Sequence, residues 1–334
     1  YGIPGYRTPR EVLDGEIKRI IDMGVEVKLN TRVGKDVSMA DVEKQYDAIL
    51  WALGAKKGRP LPIPGAEATN CLTGVDFLEA FNMGKLQLVS ERVVVIGGGD
   101  TSIDVVSVAR RLGHITEIHE NDRPENVILG HTAHDVASSA KRQGATVTLC
   151  SRSAIENMPA AQHEIDDATR EGVNIIGCIQ PVEIVRDADG RATALKVVKL
   201  EDDGKTRIEG SEYDIECDLI VAAIGQGADL TGIEGIGNDK GFIDADAHFQ
   251  VSGKDGHFVA GDVVRPHLLT TAIGQASIAV ESIEHFFSAE EMGRRPKVDK
   301  HHFSLMQKLR ETDTQPSEYD HSSAWATESS NFAI

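Results

Sequence analysis

Three consecutive glycines at positions 97–99 lie between an apolar run and the polar residues Asp100, Thr101 and Ser102. Glycine lets the backbone turn tightly and lets a ligand approach it closely. At the start of a helix, free N–H groups and the helix dipole favour an anion. The spacing therefore indicates a binding site for a pyrophosphate. The alternative is a glycine-rich turn in an ordinary parallel sheet.

The flanking residues predict the elements that would hold this turn. Val93–Ile96 is apolar and β-branched, which is typical of a strand buried on both faces. Ile103–Leu112 carries apolar residues at helical spacing. Ser102 occupies the position of the third glycine in the G-x-G-x-x-G pattern. Strand, glycine turn and helix together form the unit that binds dinucleotides.

A second predicted strand, Ala145–Cys150, ends in Ser151, Arg152 and Ser153. In a dinucleotide-binding fold the tip of the second strand faces the adenosine ribose. An acidic residue there selects a free 2′-hydroxyl, and an arginine accommodates a 2′-phosphate. Arg152 is therefore a candidate ribose contact, and a solvated loop arginine is the equally weighted alternative.

Two further apolar strands end in glycine, at Asp47–Ala55 and Leu219–Gln226, and the pair suggests two related nucleotide-binding units. A short strand that begins at Phe258 ends in Gly261 and Asp262. Such an aspartate can accept a hydrogen bond from a ribityl or ribose hydroxyl. The helix predicted over Leu268–Phe287 has Thr270 and Thr271 as candidate N-caps. Its N-terminus could stabilise a reduced, anionic flavin.

The remaining chain is predicted to alternate between helices and strands. Helical spacing covers Thr8–Met23, Val75–Met83, Asp135–Gln143 and Gln162–Glu171, and alternation predicts a strand over Val25–Leu29. Strand-like runs and turn residues between 175 and 210 predict an antiparallel meander. The stretch His114–His134 fits neither pattern, and the polar residues 293–334 read as a linker or extended arm.

Composition narrows the class of protein. A chain of 334 residues with 40% hydrophobic residues is long enough for roughly two domains. A net charge of −18 argues against nucleic acid or an anionic membrane as the main partner and suits a basic protein partner. The sequence contains neither a membrane-spanning apolar run nor an opening secretory segment, and we expect a cytoplasmic protein.

The cysteines and histidines do not predict a metal or redox centre. The four cysteines are scattered without a C-x-x-C pair, at Cys71, Cys150, Cys178 and Cys217, and buried thiols are expected. His131 and His134 lie three apart and His301 adjoins His302, but neither pair has a suitable third ligand nearby. We therefore predict solvated histidines and no metal site.

The motifs in their order resemble a known family. They read YGIPGYRTPREVLD, YDAILWALGA, VVVIGGGDTSID, DLIVAAIGQ, FVAGDVV and LLTTAIGQASIA. This set resembles the two-dinucleotide-domain flavoproteins of the glutamate synthase small-subunit type over residues 1 to 290. The insert RPENVILGHTAHDVA and the arm RPKVDKHHF are more similar to the iron–sulfur flavoproteins associated with reverse dissimilatory sulfite reductase.

The resemblance implies an α/β fold with two Rossmann-like domains, FAD in one and NAD(P)H in the other. Hydride would pass between the nicotinamide and the flavin, which exchanges electrons with iron–sulfur clusters. The implied nicotinamide-cofactor contacts are Gly97, Gly98, Gly99, Asp100, Thr101, Ser102, Arg152, Ser153, Ala223, Ile224 and Gly225. The implied FAD contacts are Arg7, Gly261, Asp262, Thr270 and Thr271. No side chain is expected to act as acid or base.

The resemblance also implies domain limits. Residues 1–88 would be part of the FAD domain with its connection, 89–228 the NAD(P) domain, and 229–292 the return to the FAD domain. The family's first glycine fingerprint and its cluster-binding cysteines do not occur in this sequence. The chain also opens at Tyr1 without a methionine. We therefore expect a fragment of a longer protein, with the clusters outside it and the FAD domain incomplete at its N-terminus.

Several alternatives stay open at this point. Many family members have two arginines at the second strand tip, where this chain has Arg152 and Ser153, so NAD(H) is slightly favoured over NADP(H). The redox partner would be a sulfite reductase-type protein or a glutamate synthase large subunit, and homodimerisation is also open. A catalytically silent assembly scaffold that has lost its flavin is the alternative of a different class.

Overall fold

A computed structural model describes residues 2–114, 123–125 and 144–289, which belong to one compact unit ending at Ala289. Its helices are α1 (Arg10–Asp22), α2 (Met39–Gln45), α3 (Gly74–Asn82), α4 (Asp100–Leu112), α5 (Gln162–Arg170) and α6 (Leu269–Ser288). Its strands are β1 (Ile49–Trp51), β2 (Lys57–Gly58), β3 (Cys71–Thr73), β4 (Arg92–Ile96), β5 (Thr146–Cys150), β6 (Asn174–Ile176), β7 (Ile179–Arg186), β8 (Ala192–Lys199), β9 (Tyr213–Glu216), β10 (Leu219–Ala222), β11 (Gln226–Gly227) and β12 (His257–Val259).

The largest sheet has five parallel strands in the order β3-β10-β4-β5-β6. The central strand β4 and the helix α4 that follows it confirm the predicted strand, glycine turn and helix. Strand β3 belongs to this sheet, because it pairs with β10. The sheet therefore begins before residue 89, where the sequence places the start of the NAD(P) domain.

Both faces of this sheet are covered, which explains why β4 is apolar throughout. Val93 and Val95 pack with apolar residues of α3, α4 and α5 on one face. Val94 and Ile96 point to the other face and pack with Leu195 and other residues of β7 and β8. A strand whose alternate residues both meet a core has no polar face, as expected for a buried parallel sheet.

The antiparallel sheet β7-β8-β9 forms the second cover and confirms the predicted meander. The turn between β8 and β9 connects two neighbouring strands of this antiparallel sheet. Asn70, which is fully buried, ties the cover to the five-stranded sheet. Its amide nitrogen donates to the carbonyl oxygens of Ala192 (3.0 Å) and Asp218 (2.7 Å), and its oxygen accepts the Ala192 N–H (2.7 Å).

A smaller core surrounds the parallel pair β1 and β12. Trp51, Ile243, Val259 and Val263 are buried there, and α6 follows from this pair. The antiparallel pair β2 and β11 lies where the chain passes to and from the five-stranded sheet. None of the helices within the described ranges is long and apolar enough to span a bilayer.

Two sequence predictions are wrong. The run Val25–Leu29 forms no strand, and Val25, Val27 and Leu29 are 52%, 48% and 77% exposed. Alternation alone makes no strand unless a neighbouring strand pairs with it, and none of the described strands does. The N-cap of α6 is Leu268, without a side-chain hydrogen bond, so Thr270 and Thr271 lie inside the first turn. The predicted helix Asp135–Gln143, the histidine pairs and the arm 293–334 lie outside the described residues.

Candidate functional site

The carboxyl edge of the five-stranded sheet brings three of the predicted segments together. Parallel strands end at the same edge, and ligands bind outside those ends in open α/β sheets. The Gly97 N–H donates to the carbonyl oxygen of Cys150 at the end of β5 (3.0 Å). The Ala223 N–H after β10 donates to the carbonyl oxygen of Ile96 (2.8 Å). The glycine turn therefore lies between the segments that contain Arg152 and Gly225.

The three glycines of the turn have different surroundings. A Cβ atom on Gly97 would lie 2.5 Å from the carbonyl oxygen of Ala223, and one on Gly98 would lie 3.0 Å from Oγ of Ser151. A Cβ atom on Gly99 would meet nothing within 4 Å. The first two glycines thus allow the turn to pack against neighbouring strand ends, and the third opens onto free space.

That free space lies at the N-terminus of α4. Gly99 is the N-cap and offers no side chain to the helix. Its carbonyl oxygen accepts the Ser102 N–H (2.9 Å), whereas the N–H groups of Asp100 and Thr101 have no hydrogen-bond partner in the described part of the chain. Unpaired N–H groups at the positive end of a helix dipole fit a pyrophosphate.

Ser102 replaces the third glycine without blocking the turn. Its buried Oγ donates to the carbonyl oxygen of Gly99 (2.6 Å). A Cβ atom on Gly97 would lie 2.9 Å from the Cβ of Ser102, so the serine fits because position 97 has no side chain. A small residue is therefore sufficient at position 102.

A cavity of about 300 Å³ lies at the tip of β5. Arg152 and Ser153 line one side of it, and the turn Asp202–Lys205 between β8 and β9 lines the other. Arg152 is exposed and Ser153 is half-buried, so both open alternatives for the arginine, a ribose contact and a solvated loop residue, are compatible with its position. The sequence did not single out Lys205, because the meander turn looks like any solvated hairpin until its neighbour in space is known.

The second cluster of predicted residues lies between β12 and α6. The Gly261 N–H donates to Oε1 of Gln275 (2.8 Å), and Gly261 has a φ of +82°, which favours glycine. Oδ1 of Asp262 accepts the His267 N–H (3.3 Å), and Thr271 Oγ1 is 2.8 Å from Nδ1 of His267. These contacts bring the strand end and the helix start together, and the sequence offered no sign of Gln275.

This cluster fits a flavin cofactor in two respects. The second carboxylate oxygen of Asp262 has no partner within the described ranges and can accept from a hydroxyl. The N–H groups of Leu269 and Thr270 at the start of α6 are likewise unpaired there. Such a helix start favours negative charge, which a reduced flavin carries.

Arg7 lies elsewhere, because its guanidinium contacts α4 and α5. It forms ion pairs with Asp104 and Glu164, and Nη2 donates to Oε2 of Glu164 (3.0 Å). The hydrogen bond to Glu164 is the main cause that raises the pKa of Arg7. Burial raises the pKa of the neighbouring Tyr6 to about 12. Among the described residues, no hydrogen bond or ion pair joins Arg7 to Gly261 or Asp262.

Cys150 and Cys217 are buried as predicted, whereas Cys71 and Cys178 are only half-buried, so the prediction of buried thiols is wrong for these two. Burial raises the pKa of Cys150 and of Cys217 to about 12, so both thiols stay protonated at neutral pH. All four cysteines are free. No group of three metal-ligating side chains occurs in the ranges that the structure describes.

Comparison with known proteins identifies the family to which this chain is similar. A family model described as "Pyridine nucleotide-disulphide oxidoreductase" matches residues 7–276. The chain is 31% identical over 299 residues to the "NADP(+)-dependent formate dehydrogenase subunit beta" of Moorella thermoacetica, covering 85% of this chain and 38% of that protein. It is 29% identical over 315 residues to the "Glutamate synthase [NADPH] small chain" of Azospirillum brasilense, covering 87% of this chain and 59% of that protein.

The solved structure of FprA, a Mycobacterium tuberculosis oxidoreductase, shares the fold with a TM-score of 0.61 and 17% identity, covering 86% of this chain and 74% of that one. The predicted α/β fold of the FAD/NAD(P)-binding type is confirmed. The chain spans between a third and three fifths of the length of the relatives named above. The family match shows that the chain belongs to the pyridine nucleotide-disulphide oxidoreductases and is of the glutamate synthase small-subunit-like type.

Proposed function

We propose that the protein is an NAD(P)H:acceptor oxidoreductase that transfers hydride between a nicotinamide cofactor and FAD. The observation that carries the proposal is the open space at Gly99, next to two N–H groups of α4 for which the described residues offer no hydrogen-bond partner. This is the geometry that a dinucleotide pyrophosphate requires. FAD, when bound, supplies a centre that accepts two electrons and can release them singly.

The residues divide into two sets in this proposal. The glycine turn with Asp100, Thr101 and Ser102 holds the pyrophosphate of the nicotinamide cofactor. Arg152 and Ser153 face its adenosine ribose, and the segment Ala223, Ile224 and Gly225 lies beside its nicotinamide half. Gly261, Asp262, Thr270 and Thr271 contact FAD. Arg7 stays a predicted FAD contact, although in this structure its guanidinium binds two carboxylates of the nucleotide domain.

The chain needs no acid or base for this reaction. Hydride transfer depends on holding two rings in contact at the correct distance and excluding water, so positioning residues do the catalytic work. Apolar cores on both faces of the sheet support the strands that end at this carboxyl edge. The domain limits proposed from the sequence are 1–88, 89–228, 229–292 and 293–334, with β3 of the first segment joining the five-stranded sheet of the second.

Electrons would pass on to iron–sulfur clusters and a protein partner. Two relatives are named as subunits or chains of larger redox enzymes, which supports a protein partner. The insert RPENVILGHTAHDVA favours a sulfite reductase-type partner in sulfur oxidation, and a glutamate synthase large subunit is the alternative. A net charge of −18 suits a partner with a basic surface.

The test is an anaerobic titration of the full-length protein. Its visible spectrum is recorded, and NADH or NADPH is then added in turn. The proposal predicts a flavin spectrum that bleaches at micromolar nucleotide. A colourless protein, or a flavin that ignores both nucleotides, would contradict it and favour the assembly scaffold.

A further inference from the structure

The side chain of Arg59, which follows β2, packs against Gly225 just beyond the end of β10. Its Cδ and Nε atoms lie 3.5 Å and 3.8 Å from the position that a Cβ atom on Gly225 would occupy. Gly225 has a φ of +119°, which favours glycine, and the absence of a side chain there leaves room for the arginine. Arg59 therefore lies beside the segment proposed for the nicotinamide half of the cofactor.

The backbone around this contact is fixed by hydrogen bonds and close packing. The Arg59 N–H donates to the carbonyl oxygen of Gly225 (3.0 Å), and the preceding Gly58 pairs with Gln226 in the β2–β11 ladder. A Cβ atom on Gly58 would lie 2.2 Å from Oγ1 of Thr73, at the end of β3. The segment that contains Arg59 thus packs directly on the carboxyl edge of the five-stranded sheet.

The start of α4 lies at the same edge. A Cβ atom on Gly74 would lie 3.2 Å from Cβ of Ala223, which follows β10, and 3.3 Å from Cγ2 of Thr101. Thr101 is one of the two residues whose N–H groups lack a hydrogen-bond partner within the described ranges. Arg59 and the free helix N–H groups therefore lie around the end of one strand, β10.

The guanidinium of Arg59 has no hydrogen bond or ion pair with another residue that the structure describes. This is notable in a chain with 53 acidic and 35 basic residues, where Arg7 and Arg92 each bind two carboxylates. The carboxylate of Asp76 accepts the hydroxyl of Thr73 (2.6 Å) instead. Arg59 therefore keeps its planar set of donors available for an anion at this edge of the sheet.

We propose that Arg59 binds the phosphate of the nicotinamide cofactor that is nearer the nicotinamide, while the N–H groups of α4 bind the rest of the pyrophosphate. The proposal rests on the function proposed above and adds a residue outside the glycine turn. A guanidinium can donate to two phosphate oxygens at once, which fixes the phosphate in orientation as well as in position. The competing roles for this exposed arginine are a solvated side chain and an ion pair with Asp76 or Asp100 in solution.

Two probes separate the two phosphates, since 5′-AMP carries only the one on the adenosine side and ADP-ribose carries both. Calorimetry with each probe is carried out on the oxidised full-length flavoprotein, on Arg59→Ala and on Arg59→Lys. Lys57→Ala is the matched control, because Lys57 is an exposed cation of β2 whose loss changes the net charge equally.

We expect Arg59→Ala to weaken ADP-ribose binding by about tenfold and 5′-AMP binding by less than about twofold. Arg59→Lys should give an intermediate ADP-ribose affinity, because an ammonium keeps the charge but not the paired donors. Lys57→Ala should match the wild type for both probes.

Three results would overturn the inference. Wild-type ADP-ribose affinity in Arg59→Ala would identify a solvated side chain. The same affinity, with a fall in unfolding temperature shared by Arg59→Ala and Asp76→Asn, would assign Arg59 to an ion pair. Equal weakening of both probes, or equal effects of Arg59→Ala and Lys57→Ala, would show an effect of net charge rather than a contact.

The flavin titration separates this inference from the proposed function. Bleaching of the wild-type flavin by NADH or NADPH upholds the oxidoreductase even when Arg59 proves irrelevant to binding. Absence of bleaching removes the oxidoreductase, even where ADP-ribose binding depends on Arg59.

Discussion

Nε of Arg7 donates a hydrogen bond to Oδ1 of Asp104, a carboxylate on the buried side of α4. The Tyr6 hydroxyl donates to the same oxygen (3.3 Å), and the Arg111 guanidinium lies 4.3 Å from the centre of the Tyr6 ring. The segment before α1 is thereby attached to the helix that begins at the glycine turn. These contacts connect the start of the chain to the proposed nucleotide site without touching the nucleotide.

Replacing Arg7 with alanine should lower the free energy of unfolding by about 2 kcal/mol, because Asp104 would keep a largely buried charge without its partner. Burial already raises the pKa of Asp104, and Arg7 opposes this rise. Without Arg7 the folded-state pKa moves further above the unfolded value, so stability falls as pH rises from about 4 towards neutrality. Chemical unfolding at pH 5 and pH 8 measures the effect.

Adding Asp104→Asn to Arg7→Ala should restore part of the loss and remove its pH dependence. Arg19→Ala is the control, because its ion pair with Glu16 is exposed and should contribute less than about 0.5 kcal/mol. Equal losses in Arg7→Ala and Arg19→Ala would show that the Asp104 contact is unimportant.

Gly97→Ala and Gly99→Ala should separate folding from binding. The first change brings a Cβ atom to 2.5 Å from a carbonyl oxygen, and we expect a loss of about 2 kcal/mol together with loss of nucleotide binding. The second meets no atom within 4 Å and should cost less than about 1 kcal/mol, since alanine is a poorer N-cap than glycine. Its Cβ atom would nevertheless occupy the approach of the pyrophosphate, and calorimetry should show weaker nucleotide binding. Wild-type affinity in Gly99→Ala would refute this placement.

Asp218 should make stability depend on acid pH. Its carboxylate accepts from the backbone N–H (3.1 Å), Nε (3.0 Å) and Nη2 (2.7 Å) of Arg92. Burial opposes these contacts, but the net pKa of Asp218 is lowered by the Arg92 hydrogen bonds and charge. The unfolded chain then binds more protons below pH 4, and the stabilisation is lost as pH falls through the lowered folded pKa.

Asp218→Asn should cost about 1 kcal/mol at pH 7, a modest value because the pair is partly exposed. It should cost less at pH 3. Asp214→Asn is the control, because Asp214 is an exposed residue of β9 whose carboxylate has no such contacts with the described residues. A constant difference between Asp218→Asn and wild type at pH 3 and pH 7 would contradict the expectation.

His257 should contribute a second pH dependence, near neutrality. Its Nδ1 accepts a hydrogen bond from Trp51 Nε1 (3.1 Å), which requires the unprotonated nitrogen. Burial, assisted by Lys254, lowers the pKa of His257. Below pH 6.5 the unfolded state takes up a proton that the folded state does not, so the free energy of unfolding falls as pH falls. Unfolding at pH 7.5 and 5.5 should show a shallower decline in His257→Asn than in the wild type, with exposed His163→Asn as the control. If the free energy of unfolding declines equally in all three proteins, His257 does not cause this pH dependence.

Local sequence patterns were sufficient to predict the helices and strands whose formation depends on residues close together in the chain. The strand ending at Ile96 and the helix ending at Leu112 follow from apolar spacing and glycine chemistry within one short stretch. The failure at Val25–Leu29 has the same origin, because alternation describes a strand's faces but not the presence of a partner strand. The error at Thr270 and Thr271 arose because the start of a helix depends on backbone geometry that side-chain type only biases.

Contacts between segments that are far apart in the chain could not be predicted from the sequence. Arg7 reads as a cofactor contact from its motif, and only the packing of the segment against α4 and α5 reveals its carboxylate partners. Lys205 lies in a hairpin turn with no distinguishing composition, and only the structure shows that it lines the same cavity as Arg152. Of these residues, only Asp104 could have been identified from the sequence, because it is an acidic residue within the apolar stripe that predicts the buried face of a helix.

The central claim is hydride transfer from a nicotinamide to the flavin, and its most direct test is a deuterium isotope effect. The full-length flavoprotein is mixed without oxygen with reduced nucleotide carrying hydrogen or deuterium at both C4 positions, and flavin absorbance is followed in time. The account predicts bleaching that is slower with the deuterated nucleotide. Absence of bleaching with either NADH or NADPH would contradict it.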